Sequence, residues 1–235
     1  MNRLLIIFRT CSKETFGDFK ECRPYFFDKK RCFKSFWDNF NNKTNTEINV
    51  VFDGNIDCNL YRYIQKFTNN IINVTFCQDT STLIYCHEYA SEKDFDFVYM
   101  LEDDFLHLEN SYEKLLEGLN IIKNNGFVSL YDHLDRYIRQ DDITLGKEHV
   151  LLGKTGYWRT AESTTNTVAM SKEILLKTLE EKRNCGNKDR LFFVNCINKY
   201  NLRLITPLPA LSTHVNKFFY SPYINWEKYN NSIVL

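Results

Sequence analysis

An α/β fold with a mixed, mostly parallel sheet flanked by helices on both faces is predicted by three features of this 235-residue sequence. Apolar runs of strand length alternate with segments whose apolar residues recur every three or four positions. That alternation repeats through the first half of the chain, and a β-α-β-α order implies parallel strands joined by crossover helices. The strand runs are apolar throughout, as expected of strands buried on both faces.

The elements follow in order. Leu4 to Phe8 is a short apolar strand, and Pro24 is placed to open a helix carrying Phe33, Phe36, Trp37 and Phe40 toward the core. Ile48 to Phe52 is the next strand, stopped by the turn signal Asp53-Gly54-Asn55. Leu60, Ile64 and Phe67 mark a helix, Ile71 to Phe76 a strand, and Thr80 to Ala90 a helix. The apolar run Phe97 to Leu101 is a strand; Tyr112, Leu115, Leu116, Leu119 and Ile122 then give a helix leading into the strand Phe127 to Tyr131. Beyond Asp132 regularity falls away, and residues 132 to 170 read as loops and short strands. Helices from about Lys172 to Arg183 and from about Asp189 to Tyr200, then the segment Leu202 to Val215, close the chain. No internal repeat or linker appears, so a single domain spans 1–235.

The most informative stretch is DFVYMLEDDF, residues 96 to 105, in which an apolar run ends in Glu102, Asp103 and Asp104. Adjacent like charges repel, and clustered oxygen ligands suit a hard divalent cation such as Mg2+ or Mn2+. If the extended geometry continues, Glu102 and Asp104 project to one side and Asp103 to the other. The plain alternative is a solvated acidic turn. Position favours the ligand reading, because sites in open α/β sheets lie at the carboxyl ends of strands.

This motif resembles the DxD element of nucleotide-sugar-dependent glycosyltransferases of the GT-A, Rossmann-like fold, in its EDD variant. The resemblance takes in the opening RLLIIFRTCSK, a second strand ending in FDGN, and a distal NKDRLFFVNCINKYN followed by PLPALSTHV. It is nearest to the small glycosyltransferases of large DNA viruses and phages, which implies a glycan-building enzyme of the cytoplasm, the host's if the source is viral. It further implies a nucleotide-binding half over about 1–105 and an acceptor-binding half over about 106–235.

The resemblance also implies roles for particular residues. Asp104 is the direct ligand of a Mn2+ or Mg2+ ion held by the donor diphosphate, with Glu102 and Asp103 in support and His214 as a late metal ligand. His214 is otherwise a hydrogen-bonded loop histidine. Arg9-Thr10 holds base and ribose, although Arg9 can equally be solvated at a strand end. Asp53 accepts from uracil, favouring a UDP-sugar with a GDP-sugar possible, or it is simply a turn residue. Asp189 is the base of an inverting transfer or a helix cap. Asp132, Asp135 and Glu162 are weaker base candidates; Asp132, Trp158, Arg159 and Glu162 line the acceptor or sugar pocket, with Trp158 stacking on a pyranose unless it is core.

Composition excludes other classes. Lys plus Arg equals Asp plus Glu at 30 each, and a neutral chain with no dense basic run is a poor nucleic-acid binder. The longest aliphatic stretch, Leu4 to Phe8, is far too short to span a bilayer, and no signal-peptide pattern flanks it. Eight cysteines without CxxC or zinc spacing are expected to be reduced, and the sequons at Asn42 and Asn73 matter only on export. A sugar nucleotidyltransferase calls for a Gly-rich loop after the first strand, whereas FRTCSKETFGD has one Gly. A haloacid-dehalogenase phosphatase needs an Asp pair there, and Arg9-Thr10 supplies none. A non-catalytic carbohydrate-binding protein explains the aromatics but not the acids.

Overall fold

A computed structural model describes residues 2–13, 21–138 and 149–235. The first elements are β1 (Leu4–Cys11), α1 (Lys29–Phe40), β2 (Thr46–Asp53), α2 (Asn59–Gln65), β3 (Ile71–Val74), α3 (Asp79–Ser91) and β4 (Phe97–Glu102). Next come β5 (Phe105–His107), α4 (Ser111–Ile122), β6 (Gly126–Val128), α5 (Asp135–Ile138), β7 (Val150–Leu152), β8 (Tyr157–Ala161) and β9 (Val168–Ser171). The chain closes with α6 (Lys172–Cys185), α7 (Asp189–Tyr200), β10 (Arg203–Leu208), β11 (Ser212–His214) and α8 (Trp226–Ser232).

Nine strands form one sheet in the order β3-β2-β1-β4-β9-β6-β10-β8-β7. The first four are mutually parallel, and β6 and β10 are parallel to each other. Antiparallel β9 joins these two sets, and antiparallel β8 and then β7 extend the far edge. Seven of the nine strands therefore run one way and only β8 and β9 oppose them. The 3-2-1-4 order puts a topological switch point between β1 and β4, where the crossovers leave to opposite sides and a crevice opens. A separate antiparallel pair, β5 with β11, sets His214 opposite Phe105.

Side-chain alternation along β1 explains why its sequence is apolar without a break. Leu4, Ile6 and Phe8 pack into a layer with Phe33, Phe36 and Phe40 of α1 and Leu115 and Leu119 of α4. Leu5 and Ile7 face the other layer, with Ala90 of α3, Leu175 of α6 and Phe192 and Phe193 of α7. Aromatic geometry fixes the first layer tightly: Phe8 stacks on Phe36 at 5.3 Å between centroids and meets Phe33 edge-on at 5.2 Å.

Several expectations shift in detail. Pro24 does not open α1; the helix starts at Lys29, where Asp28 caps it by accepting from the Lys30 backbone N–H at 2.8 Å. The irregular stretch after Asp132 contributes three strands to the sheet, and neither β5 nor α8 was predicted. The helix α8 reads WEKYNNS, too polar and short to announce itself, and docks through Trp226. All eight cysteines are free, and among the described residues no helix is long and apolar enough to cross a membrane.

Two histidines are built into the interior. His107 is fully buried, with Nε2 2.8 Å from the Tyr99 hydroxyl, and His87 places Nδ1 3.0 Å from the Leu83 carbonyl. Burial lowers both to about 3. Unfolded histidine titrates near 6.5. Their contribution to stability is therefore complete above about pH 6.5 and is lost as pH falls toward 3. The urea midpoint should drop between pH 7.5 and pH 5, each histidine costing up to about 2 kcal/mol over that range. His107→Gln, which cannot charge, should show a smaller drop; an equal one would rule out His107 as a source of the acid sensitivity.

Candidate active site

Parallel pairing of β1 with β4 places Arg9 directly opposite Glu102, and β1 against β2 places Cys11 opposite Asp53. The carboxyl ends of these three strands consequently meet around one cavity of about 400 Å³. The strand β4 stops at Glu102, and Asp103 and Asp104 form a turn. The extended geometry does not continue, so the predicted split of the acids between two sides gives way to all three lining the same cavity.

Each acid meets its own cation. Glu102 and Asp79, at the start of α3, flank the Arg9 guanidinium, which is not solvated. Asp103 accepts from the Thr10 hydroxyl at 2.6 Å and from Lys29 Nζ at 2.9 Å. Asp104 meets Arg23 and, at 3.0 Å, Nε2 of His214. Arg23 also approaches His214 Nε2 at 3.2 Å and donates to the Val215 carbonyl at 2.8 Å. The β5–β11 pairing explains how a residue 110 positions away reaches the motif: His214 stacks on Phe105 at 5.3 Å.

The electrostatics differ from acid to acid. Burial alone would raise the Asp104 carboxyl, but His214 and Arg23 hold it well below the usual carboxylate range. Burial pushes Glu102 up to about 7; Arg9 opposes this, while Asp104 adds to it. Arg9 has one charge for two carboxylates, and Glu102 is the more buried, at 20% side-chain exposure against 41% for Asp79. Among the described residues, six carboxylates line the cavity (Asp53, Asp79, Glu102, Asp103, Asp104 and Asp189) against three permanent cations, Arg9, Arg23 and Lys29. One carboxylate oxygen, Oδ1 of Asp104, is buried with no partner among the described residues.

By donor type the acids suit a hard divalent cation. Among the described residues no three His, Cys, Asp or Glu side chains form a ready cage. Asp104 and His214 nevertheless supply an oxygen and a nitrogen at one point, leaving other positions for ligand oxygens and water.

The remaining candidates separate into two groups. Asp53 lines the cavity; its carboxylate accepts from the Cys77 N–H at 2.9 Å and from Thr82, so it is anchored rather than a free turn residue. Asp189 is the first residue of α7, but the cap position belongs to Lys188 and no side chain caps the helix, so the cap reading is corrected. Its Oδ1 accepts from the Arg190 N–H at 2.7 Å, and burial raises its carboxyl above the ordinary value. Asp189 lines both the main cavity and a second of about 190 Å³ that also includes His133, Asp135, Thr165 and Phe219. Glu162 does not line it but lies 2.8 Å from Arg190, which does.

Trp158, Arg159 and Asp132 belong to the interior instead. The Trp158 ring is fully buried on Gly118 and Val128, so it has no open face for a sugar. Asp132 is 1% exposed and accepts from Arg159 Nε at 2.9 Å and Nη2 at 2.6 Å, and neither residue lines either cavity. Sequence reasoning missed Arg23, Lys29, Asp79, Thr82, Asn166 and Asn187, all on the main cavity wall. Only Asp79 carried a signal, an acid at the start of a helix following a strand.

No family model matches the sequence, and no curated protein matches it. Solved structures do resemble its fold. A CMP:2-keto-3-deoxy-manno-octonic acid synthetase in complex with CTP aligns at TM-score 0.51 and 10% identity, over 87% of this chain and 88% of that one. A protein described as a nucleotide-diphospho-sugar transferase from Desulfovibrio desulfuricans G20 aligns at TM-score 0.52 and 10% identity, over 88% of this chain and 80% of that one. The chain thus has the α/β fold of nucleotide-sugar transferases and nucleotidyltransferases. At this identity the likeness is one of architecture.

The buried Asp132–Arg159 pair yields a test of its structural role. Arg159→Met strands a buried carboxylate and should cost about 3–5 kcal/mol in urea denaturation, most of it recovered by adding Asp132→Asn. An Arg159→Met protein of native stability with impaired ligand binding would return Arg159 to the substrate pocket.

Proposed function

We propose that this protein is a glycosyltransferase that moves a sugar from a nucleotide diphosphate sugar, preferably a UDP-sugar, to a glycan, glycoprotein or lipid-linked acceptor with the aid of Mn2+ or Mg2+. The observation that carries the reading is the excess of carboxylates in the switch-point cavity together with Asp104, whose Oδ2 meets His214 and whose Oδ1 has no partner among the described residues. A bare diphosphate entering six carboxylates and three cations meets net repulsion, so it needs a cation of its own.

Roles follow from the placement of each residue. Asp53, anchored by Thr82 and the Cys77 N–H, offers its remaining lone pairs to the base, and Thr10 and Arg9 border the ribose. Asp104 and His214 would hold the metal, with Glu102 and Asp103 setting the field around it. A divalent cation there supplies positive charge against the developing charge of the leaving diphosphate. Asp189, at the junction of the two cavities, takes the proton of the acceptor hydroxyl as its oxygen attacks the anomeric carbon. The bond from that carbon to the diphosphate breaks, and the nucleoside diphosphate leaves with the electron pair. A carboxyl raised by burial is suited to accept that proton near neutral pH.

Calorimetry tests the metal and the donor together. UDP in the presence of Mn2+ should bind more tightly than GDP, and Asp104→Ala should abolish the Mn2+-dependent part with the fold intact. Unchanged affinity in Asp104→Ala removes it as the ligand, and tighter GDP binding removes the role of Asp53. Pyrophosphate release from UTP or CTP with a sugar phosphate would assign nucleotidyl transfer in place of sugar transfer.

Asp189 is tested by Asp189→Asn. Asn keeps the oxygen that accepts the Arg190 N–H, so stability should move by well under about 1 kcal/mol. Turnover should fall roughly 10²- to 10⁴-fold because an amide cannot accept the proton, while donor binding persists. Near-normal transfer would shift the base to Asp135 or Glu162, beside the second cavity, or point to a retaining mechanism.

A further inference from the structure

The loop between β8 and β9 runs past the end of the acidic strand. Thr167 Oγ1 accepts the Glu102 backbone N–H at 3.1 Å, and Thr165 and Asn166 line the main cavity. Asn166 is 7% exposed, and its Oδ1 accepts from Nζ of Lys182 in α6 at 2.8 Å. Lys182 is itself 1% exposed, donates to the Gly186 carbonyl at 3.4 Å and lies 4.1 Å from the centre of the Phe192 ring. Burial lowers it to about 8, so it remains charged at neutral pH.

The chemistry of this pair is directional. An ammonium has three donors and no acceptor. Facing one, a carboxamide must present its oxygen, which leaves Nδ2 on the opposite side. Asn166 Nδ2 donates to no described protein group, and Asn166 lines the cavity. An apolar side chain would fill the space against Phe192 without the cost of burying a charge. The ammonium therefore does something that packing does not require: it fixes which way the amide points.

We propose that Asn166 is a ligand-binding residue that donates through Nδ2 to an oxygen of the donor nucleotide sugar, and that Lys182 is the positioning residue that holds the amide in that orientation. This rests on the reading of the cavity as a nucleotide-sugar site. The acceptor oxygen belongs to a sugar hydroxyl or to the diphosphate, and the two are separable.

The test uses calorimetry with UDP and UDP-glucose in Mn2+, or GDP and GDP-mannose if the wild type binds that pair. Asn166→Ala alone strands Lys182 and risks unfolding. The double variant Asn166→Ala/Lys182→Met removes both partners together, which is close to neutral for folding, and a thermal melt verifies it. The double variant should bind the nucleotide sugar roughly tenfold more weakly, the worth of one hydrogen bond of about 1.4 kcal/mol. Unchanged binding of the free nucleotide assigns the sugar hydroxyl, and an equal loss assigns the phosphate. Lys182→Met alone, with the amide free to flip, should show an intermediate loss. Wild-type affinity in the double variant overturns the amide contact, and wild-type affinity in Lys182→Met overturns the positioning role. A wild-type protein that binds none of these four compounds would remove the underlying site reading instead.

Discussion

Three consecutive carboxylates at the end of a buried strand have to be neutralised, and much of the molecule's arrangement answers that constraint. Their counter-charges come from three separate places. Arg9 arrives by the parallel pairing of β1 with β4, Lys29 by the start of α1, and Arg23 by the segment before α1, which meets the His214 ring brought in by β11. Each contact ties a distant part of the chain to the β4 turn. Burying such pairs is at best near neutral for stability, so the cluster is better understood as fixing geometry than as a source of folding energy.

Sheet topology supplies the location. With β1 between β2 and β4, the ends of all three strands fall on one side, and the helices that follow them diverge. The two apolar layers, one centred on α1 and α4 and the other on α3, α6 and α7, clamp β1 from both faces. The floor of the cavity is consequently packed from both faces. Its walls are loops and helix ends, which carry Asn166, Asn187 and Asp189.

Much of this was legible in the sequence because the signals were local. Strand hydrophobicity and helical periodicity located β1 to β4 and α1 to α4, and α7 begins and ends where the pattern placed it. What sequence could not show was pairing between distant segments. Nothing in Arg23 or Lys29 distinguishes them from surface cations, and only the fold brings them to acids some eighty positions away. For Trp158 the sequence left sugar platform and core open, and the pairing of β8 inside the sheet, with the indole filling the space over Gly118, makes it core. Asp189 was placed correctly at a helix start, but cap geometry depends on one backbone torsion that composition does not encode.

The charge pattern links the cation and the nucleotide. Arg23 contacts both Asp104 Oδ2 and His214 Nε2, so under the proposed function a divalent ion and this guanidinium would compete for the His214 lone pair. An ion alone must displace Arg23 and leave it near a like charge. A diphosphate alone must enter a cavity with more carboxylates than cations. When both enter together, the phosphate oxygens give Arg23 a new anionic partner, and the ion offsets the carboxylates that would repel the phosphate. Under the proposed function each ligand therefore strengthens the binding of the other by the same factor, as linkage requires. Under that function the resident cations offset only part of the acidic charge, so the cavity favours a ligand that brings both signs of charge.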